Sequence, residues 1–215
     1  AWKARSSAEG GTRLASASVS VWPRQRGWVV RMTRFSLSVT ATASEMPAQT
    51  RSNFCNSTPT TITPAGWPSY YLEWHTGMSQ VFQAQTISLV CEGVFQKFPN
   101  LKFALLEGGF AWMPHVMWRL DKNWKAMRSE CPWLTRKPSE IILDHFRIAS
   151  QPIEEPENDR HLFEIFEMMQ ADKTLMFSSD YPHWDFDSPQ QAFPRMAPEL
   201  RQRIFAENAR ELYGL

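Results

Sequence analysis

Three short apolar runs, LKFALL (101–106), FRIAS (146–150) and TLMFS (174–178), each lead into a stretch with helical periodicity. This alternation limits the possible folds more than any other feature of the chain. Runs that are apolar at nearly every position suit strands buried on both faces. A strand repeatedly followed by a helix gives a parallel sheet covered by helices. The first run is followed by a Trp/Met-rich helical segment from about Met113 to Arg128. The second precedes a helix opened by Asn158 or Asp159, with Leu162, Ile165, Phe166 and Met169 on one face. The third precedes a helix introduced by Pro198 and closed by Gly214, the usual ends for those two residues. Upstream, Ile87, Val90, Cys91, Val94, Phe95 and Phe98 recur at helical spacing and predict one amphipathic helix over about 77–98.

From Ala1 to about Thr63 the text changes to Ala, Ser, Thr and Arg, and local cues conflict. Segments such as FSLSVTAT (35–42) alternate as an exposed strand would, but no caps or turn signals bracket them. Residues 1–63 are therefore expected to be irregular or disordered and foreign to the native reading, and 64–215 to form the folded domain. Charge follows the same division: positions 1–60 hold eight Lys/Arg against two acids, and the remainder fifteen against twenty. The basic residues are scattered, so nucleic acid is not the expected partner. No apolar stretch reaches the roughly 18 residues a spanning helix needs, and a cytoplasmic location is the default expectation. Cys55, Cys91 and Cys131 stand far apart with no CxxC, which indicates neither a disulfide framework nor a thiolate zinc site.

Parallel strands followed by helices bring functional groups together at the strands' C-terminal ends. Glu107, Gln151 and Asp180 occupy those ends and should converge on one face. Two carboxylates there would repel each other unless a cation lay between them, so a divalent metal is expected at Asp180 and Glu107. Each residue also has a plainer use. Asp180 can cap a turn, Glu107 can accept a hydrogen bond, and His183 can be a turn residue or orient a ligand. His75 reads as a packing or capping group just ahead of the 77–98 helix. His115, His145 and His161 read as structural, and Trp112, Trp118, Trp124, Trp133 and Trp184 as core or interface aromatics.

The segments FPNLKFALLEGGFAWMPHVMWRLDKNW, SQPIEEP, LMFSSDYPHWDFD and IFAENARELYGL occur in order and at sensible spacing. Together they resemble the C-terminal half of the amidohydrolase-related family typified by aminocarboxymuconate semialdehyde decarboxylase, over about Gly66 to Leu215. The resemblance implies an α/β fold, the C-terminal half of a (β/α)8 TIM barrel, with a divalent metal at its mouth, zinc first and manganese as the alternative. It implies hydrolysis or non-oxidative decarboxylation of a small, often aromatic, carboxylated substrate, with no membrane partner. On it, Asp180 matches the last-strand aspartate that serves as metal ligand and acid/base. Arg119 resembles an arginine that meets a substrate carboxylate, sometimes across a homodimer interface, or else it pairs with Asp121 or another nearby acid. His183 and Trp112 fall where they would touch substrate.

Two departures qualify the resemblance. Glu107 stands where decarboxylases of the family carry a pocket histidine, and no HxH pair occurs anywhere in the chain. A barrel of this kind takes about 250 residues, and the resembling part is much shorter. The chain is thus expected to be an enzyme fragment, with little activity by itself or with a barrel completed by oligomerisation. The competing expectation is a non-catalytic binding protein built on a degenerate half barrel.

Overall fold

The computed structural model describes residues 19–24, 27–32 and 69–215. Five strands form one sheet in the order β1-β2-β3-β4-β5: β1 Val19–Arg24, β2 Gly27–Met32, β3 Lys102–Leu105, β4 Phe146–Ala149 and β5 Leu175–Met176. β1 and β2 pair antiparallel, and β2 through β5 run parallel. Spatial order therefore follows chain order. That is the singly wound order of a (β/α) barrel, without the reversal that defines a doubly wound sheet. The expected half barrel is, among the described residues, an open sheet ending at β1 and β5.

Two of these strands lie inside the segment read from sequence as irregular. VSVWPR and GWVVRM carry enough β-branched and aromatic residues to pair. Pro23, which has no N–H to offer a ladder, sits in the outermost strand, where that omission is tolerated. FSLSVTAT and the remainder of 1–63 lie outside the described residues.

The helices are α1 Tyr71–Cys91, α2 Val94–Lys97, α3 Trp112–Ala126, α4 Pro138–His145, α5 Asp159–Met168, α6 Ala171–Thr174, α7 Pro198–Gln202 and α8 Asn208–Tyr213, with a π-helical turn at Arg203–Glu207. The single helix expected over 77–98 starts earlier, at Tyr71, and breaks at Gly93, whose φ of +69° is left-handed. Trp133 packs where a Cβ on Gly93 would stand, 2.6 Å from its ring. Ile87, expected in the buried stripe, is 37% exposed, while Val90, Val94 and Phe95 are buried. Asn158 caps α5, its side chain accepting from the Arg160 N–H, and Gly214 ends α8 in the left-handed region.

Side chains alternate across the sheet. Phe103, Leu105, Phe146, Ile148 and Leu175 enter the main core with Phe95, Met113, Val116, Ile142 and Phe166 from the helices. Ala104 and Met176 face the other way and pack with Leu212 of α8. β4, between two parallel neighbours, is buried along its whole length. His145, as expected, is structural: its Nδ1 donates to the Leu101 carbonyl at 2.7 Å and its ring stacks on Phe95.

One buried amide helps tie the C-terminal segment to the sheet. Buried Asn208 donates through Nδ2 to the carbonyls of Ala171 at 3.1 Å and Leu175 at 2.7 Å. Replacing it with alanine takes a donor from each carbonyl, and that of Ala171 keeps the Leu175 N–H as a second one. Asn208→Ala should cost about 1–3 kcal/mol, read as a lower urea midpoint with unchanged slope.

A second anchor is ionic. Asp144 pairs with Arg136 and, at 2.8 Å, with Lys173. Burial pushes its carboxyl up, but the hydrogen bonds and charges of Lys173 and Arg136 outweigh it and hold the value down at about 2, against an ordinary 3.8. A carboxyl depressed on folding stabilises fully above its unfolded value, and that stabilisation is lost as the pH falls toward the folded one. Asp144→Asn should therefore lower stability near neutrality and weaken the further loss between about pH 4 and pH 2, as urea titrations at several pH values would show.

Candidate functional site

The three parallel strands β3, β4 and β5 end on one edge, and Glu107, Gln151 and Asp180 follow them there, as the alternation predicts. Two of these residues leave their strands in the left-handed region, Glu107 at φ +65° and Asp180 at φ +55°. Non-glycine residues adopt that backbone at a cost, and it concentrates where surrounding structure forces a side chain into a required direction.

The loop after β5 is bound to its neighbours at several points. The Ser150 hydroxyl accepts from the Ser178 N–H at 3.1 Å, and the Asp187 N–H closes the loop on the Ser179 carbonyl at 2.9 Å. Buried Gln151 donates through Nε2 to the Asp185 carbonyl at 3.1 Å. Within this frame Asp180, His183 and Asp185 each bring a ligand atom within 4.8 Å of the others. His183 Nδ1 lies 2.5 Å from Asp180 Oδ2, and His75 Nε2 of α1 lies 3.5 Å from Asp185 Oδ2. The Asp180 and Asp185 side chains are only 18% and 14% exposed, so water screens their mutual repulsion weakly. Asp185 Oδ1 is buried without a hydrogen-bond partner among the described residues. Two carboxylates, an imidazole and an unsatisfied buried oxygen fit a divalent cation.

Nearby, burial pushes Asp187 up to about 6; Glu155 and Asp185 add to the rise, and the Ile153 N–H opposes it. An aromatic group flanks the acids: Tyr71 stacks on His75 at 5.4 Å, and Trp184 lies 6.1 Å from His75 and 6.4 Å from Tyr71. Tyr71 and Trp184 are exposed, offering apolar surface beside the charged cluster.

Not every residue singled out from sequence joins this group. Glu107 lies at the same edge but is not among the three clustered donors. Trp112 is buried, and its Nε1 donates to the carbonyls of Gly108 at 3.1 Å and Gly109 at 3.0 Å. The ring expected to touch substrate thus braces the loop after β3. Arg119 is exposed on α3, and its suggested pairing with Asp121 does not form, because Asp121 accepts from the Ser139 N–H and hydroxyl. Asp185 and His75 were missed. The alternating acids of HWDFD flag Asp185, but nothing local to YYLEWH links His75 to a loop so distant in the chain.

The β3 and β4 loops are joined by Glu154, whose carboxylate accepts from the N–H groups of Phe110 at 2.9 Å and Ala111 at 2.6 Å, at the start of α3. Gly109, at φ +65°, leaves no room for a Cβ, which would stand 2.5 Å from Glu154 Oε1. Gly109→Ala should destabilise by about 2 kcal/mol or more, from the clash and the left-handed backbone together. In a Glu154→Ala background the clash disappears, so the added cost should shrink to about 1 kcal/mol, measured as a double-mutant cycle in urea.

A family model for amidohydrolases matches residues 22–215. Over 115 residues, the chain is 25% identical to the 2-amino-3-carboxymuconate-6-semialdehyde decarboxylase of Dictyostelium discoideum, covering 54% of this chain and 30% of that protein. The 5-carboxyvanillate decarboxylase of Sphingomonas paucimobilis is similar in structure, with a TM-score of 0.51 at 21% identity over 65% of this chain and 41% of that one. The dihydroxybenzoic acid decarboxylase of a Polaromonas species, solved with manganese and the inhibitor 2-nitroresorcinol, gives 0.50 at 22% identity over 63% and 40%. An amidohydrolase of Mycobacterium avium subsp. paratuberculosis gives 0.53 at 22% identity over 67% and 36%. At these identities the structural likeness is one of fold, and the chain spans well under half the length of each of these relatives.

Proposed function

Since this chain belongs to the amidohydrolase family, we propose that it carries the last-strand part of a metal-dependent active site that removes a carboxyl group from a small aromatic or unsaturated acid. The observation that carries this reading is the cluster of Asp180, His183 and Asp185 beyond the C-terminal end of a parallel strand. Asp180 and Asp185 would hold the cation, with His183 as third donor or proton carrier. Zinc suits these donors, and the manganese of the Polaromonas decarboxylase supports the alternative. When bound, the cation supplies positive charge that polarises a substrate oxygen.

The chain's own residues account for the remaining requirements. When a carboxyl group leaves as CO2, its bonding electron pair stays on carbon, which must then receive a proton. Asp180 accepts a hydrogen bond from His183 Nδ1, which leaves Nε2 to exchange that proton with the substrate. Tyr71 and Trp184 offer faces against which a planar acid stacks. On this reading Arg119, exposed beside Trp118 on α3, meets a substrate carboxylate across a homodimer interface. Hydrolysis at the same cluster is the second reading, favoured by Glu107, a carboxylate where decarboxylases of this family carry a histidine.

The sequence has no HxH pair, so this 215-residue chain should bind its metal weakly and turn over far below the enzyme median of about 10 per second. Titration with Zn²⁺ and Mn²⁺ in a calorimeter tests the cluster. Asp180→Asn and Asp185→Asn should each weaken binding at least about tenfold; unchanged affinity in both would remove the reading. Release of CO2 from dihydroxybenzoates or 5-carboxyvanillate, lost in Asp180→Asn, would separate decarboxylation from hydrolysis.

A further inference from the structure

Far apart in sequence and without a CxxC spacing, Cys91 and Cys131 meet in the fold. Cys91 is the last residue of α1, and Cys131 lies in the connection between α3 and α4. Both are free thiols, both are partly accessible, and their side chains interact with each other. They share a cleft of about 80 Å³ whose other walls include Leu120, Trp124, Met127 and Leu134. The backbone around them is held two residues beyond each sulfur. Trp133 packs its ring against Gly93 and donates through Nε1 to the Cys91 carbonyl at 2.8 Å. The Leu134 N–H also turns back to the Cys131 carbonyl at 3.0 Å. One tryptophan therefore fixes the approach of two strands of chain that carry a thiol each.

We propose that Cys91 and Cys131 form a reversible dithiol–disulfide pair, oxidised by a small-molecule disulfide such as glutathione disulfide, which locks the end of α1 to the α3–α4 connection. The thiols differ in readiness. Burial, with Cys131 and the acids Glu92 and Glu130 alongside, pushes the Cys91 thiol up to about 11. Cys131 is raised too, by burial, but a hydrogen bond from Cys91 works against the rise. Cys131 is therefore the attacking thiol.

Its thiolate attacks one sulfur of glutathione disulfide, expels one glutathione thiolate and leaves a mixed disulfide. Cys91 then gives up its proton and attacks the Cys131 sulfur, expelling the second glutathione. Two protein thiols are oxidised by two electrons, one external disulfide is reduced to two thiols, and the two protons released pass to the two glutathiones. A disulfide needs its α-carbons roughly 4.4–6.8 Å apart, so closure of the pair reports that separation directly.

The test uses the whole purified chain, which has three cysteines. After equilibration with excess glutathione disulfide, tryptic mapping should find a peptide linking Cys91 to Cys131, with neither carrying glutathione. In Cys91→Ser, Cys131 should accumulate as a stable glutathione adduct; in Cys131→Ser, Cys91 should react at least about tenfold more slowly. A predominant link to Cys55, a wild-type adduct on Cys131 that never resolves, or retention of all three thiols would each overturn the proposal.

Discussion

Parallel pairing of β4 with a neighbour on each side is the constraint from which the rest of this structure follows. Parallel strands cannot be joined by a tight turn, so each connection must return across the sheet. Those connections are α3 with α4 and α5 with α6, and their apolar faces form the main core. The register is held by burial. Phe103 lies beside Phe146 and Leu105 beside Ile148, all facing the main core, and a slip of one residue would carry them to the opposite face, which now takes Ala104 and Met176. Once the register is held, Glu107, Gln151 and Asp180 leave the sheet on a common edge.

Beyond that edge, the loops are linked to one another and to α1. Glu154 from the β4 loop caps the helix after β3, Gln151 holds the backbone of Asp185, and His75 reaches Asp185 from α1. The acids of the last loop are thereby kept close against their repulsion. Asp187 is pushed up to about 6, chiefly by burial, with the nearby Glu155 and Asp185 adding to the rise. The left-handed backbone at Asp180 belongs to the same account, since a carboxylate held in a strained position needs surroundings that leave it no easier one.

Much of this was legible in the residues, and the exceptions have physical causes. The strands β3, β4 and β5 and the helices beginning at Trp112, Asp159 and Pro198 stand out because apolar runs, caps and terminal glycine agree. The break at Gly93 was hidden because the apolar spacing continues through it, from Val90 to Val94 and Phe95. Only a tertiary partner, the Trp133 ring, makes the break necessary. The strand character of VSVWPR and GWVVRM was masked by a composition that resembles noise when read without the β3 backbone against which β2 pairs. At the site, Asp180 and His183 could be named from one short motif. The contribution of His75 could not, because proximity created by folding leaves no trace in local spacing. Trp112 agrees with its reading as a core aromatic: it is buried, and the carbonyls of Gly108 and Gly109 occupy its indole nitrogen.

The π-helical turn at Arg203–Glu207 sets the angular indexing of everything that follows it. Each residue advances a regular helix by about 100°, so a widened turn offsets the downstream side chains relative to those upstream. Asn208 and Leu212 reach the carbonyl of Leu175 and the far face of the sheet only on that offset. Excision of a single position from the turn would yield a more regular helix aimed at the wrong target. The irregular backbone is therefore what the tail of the chain uses to find its seat.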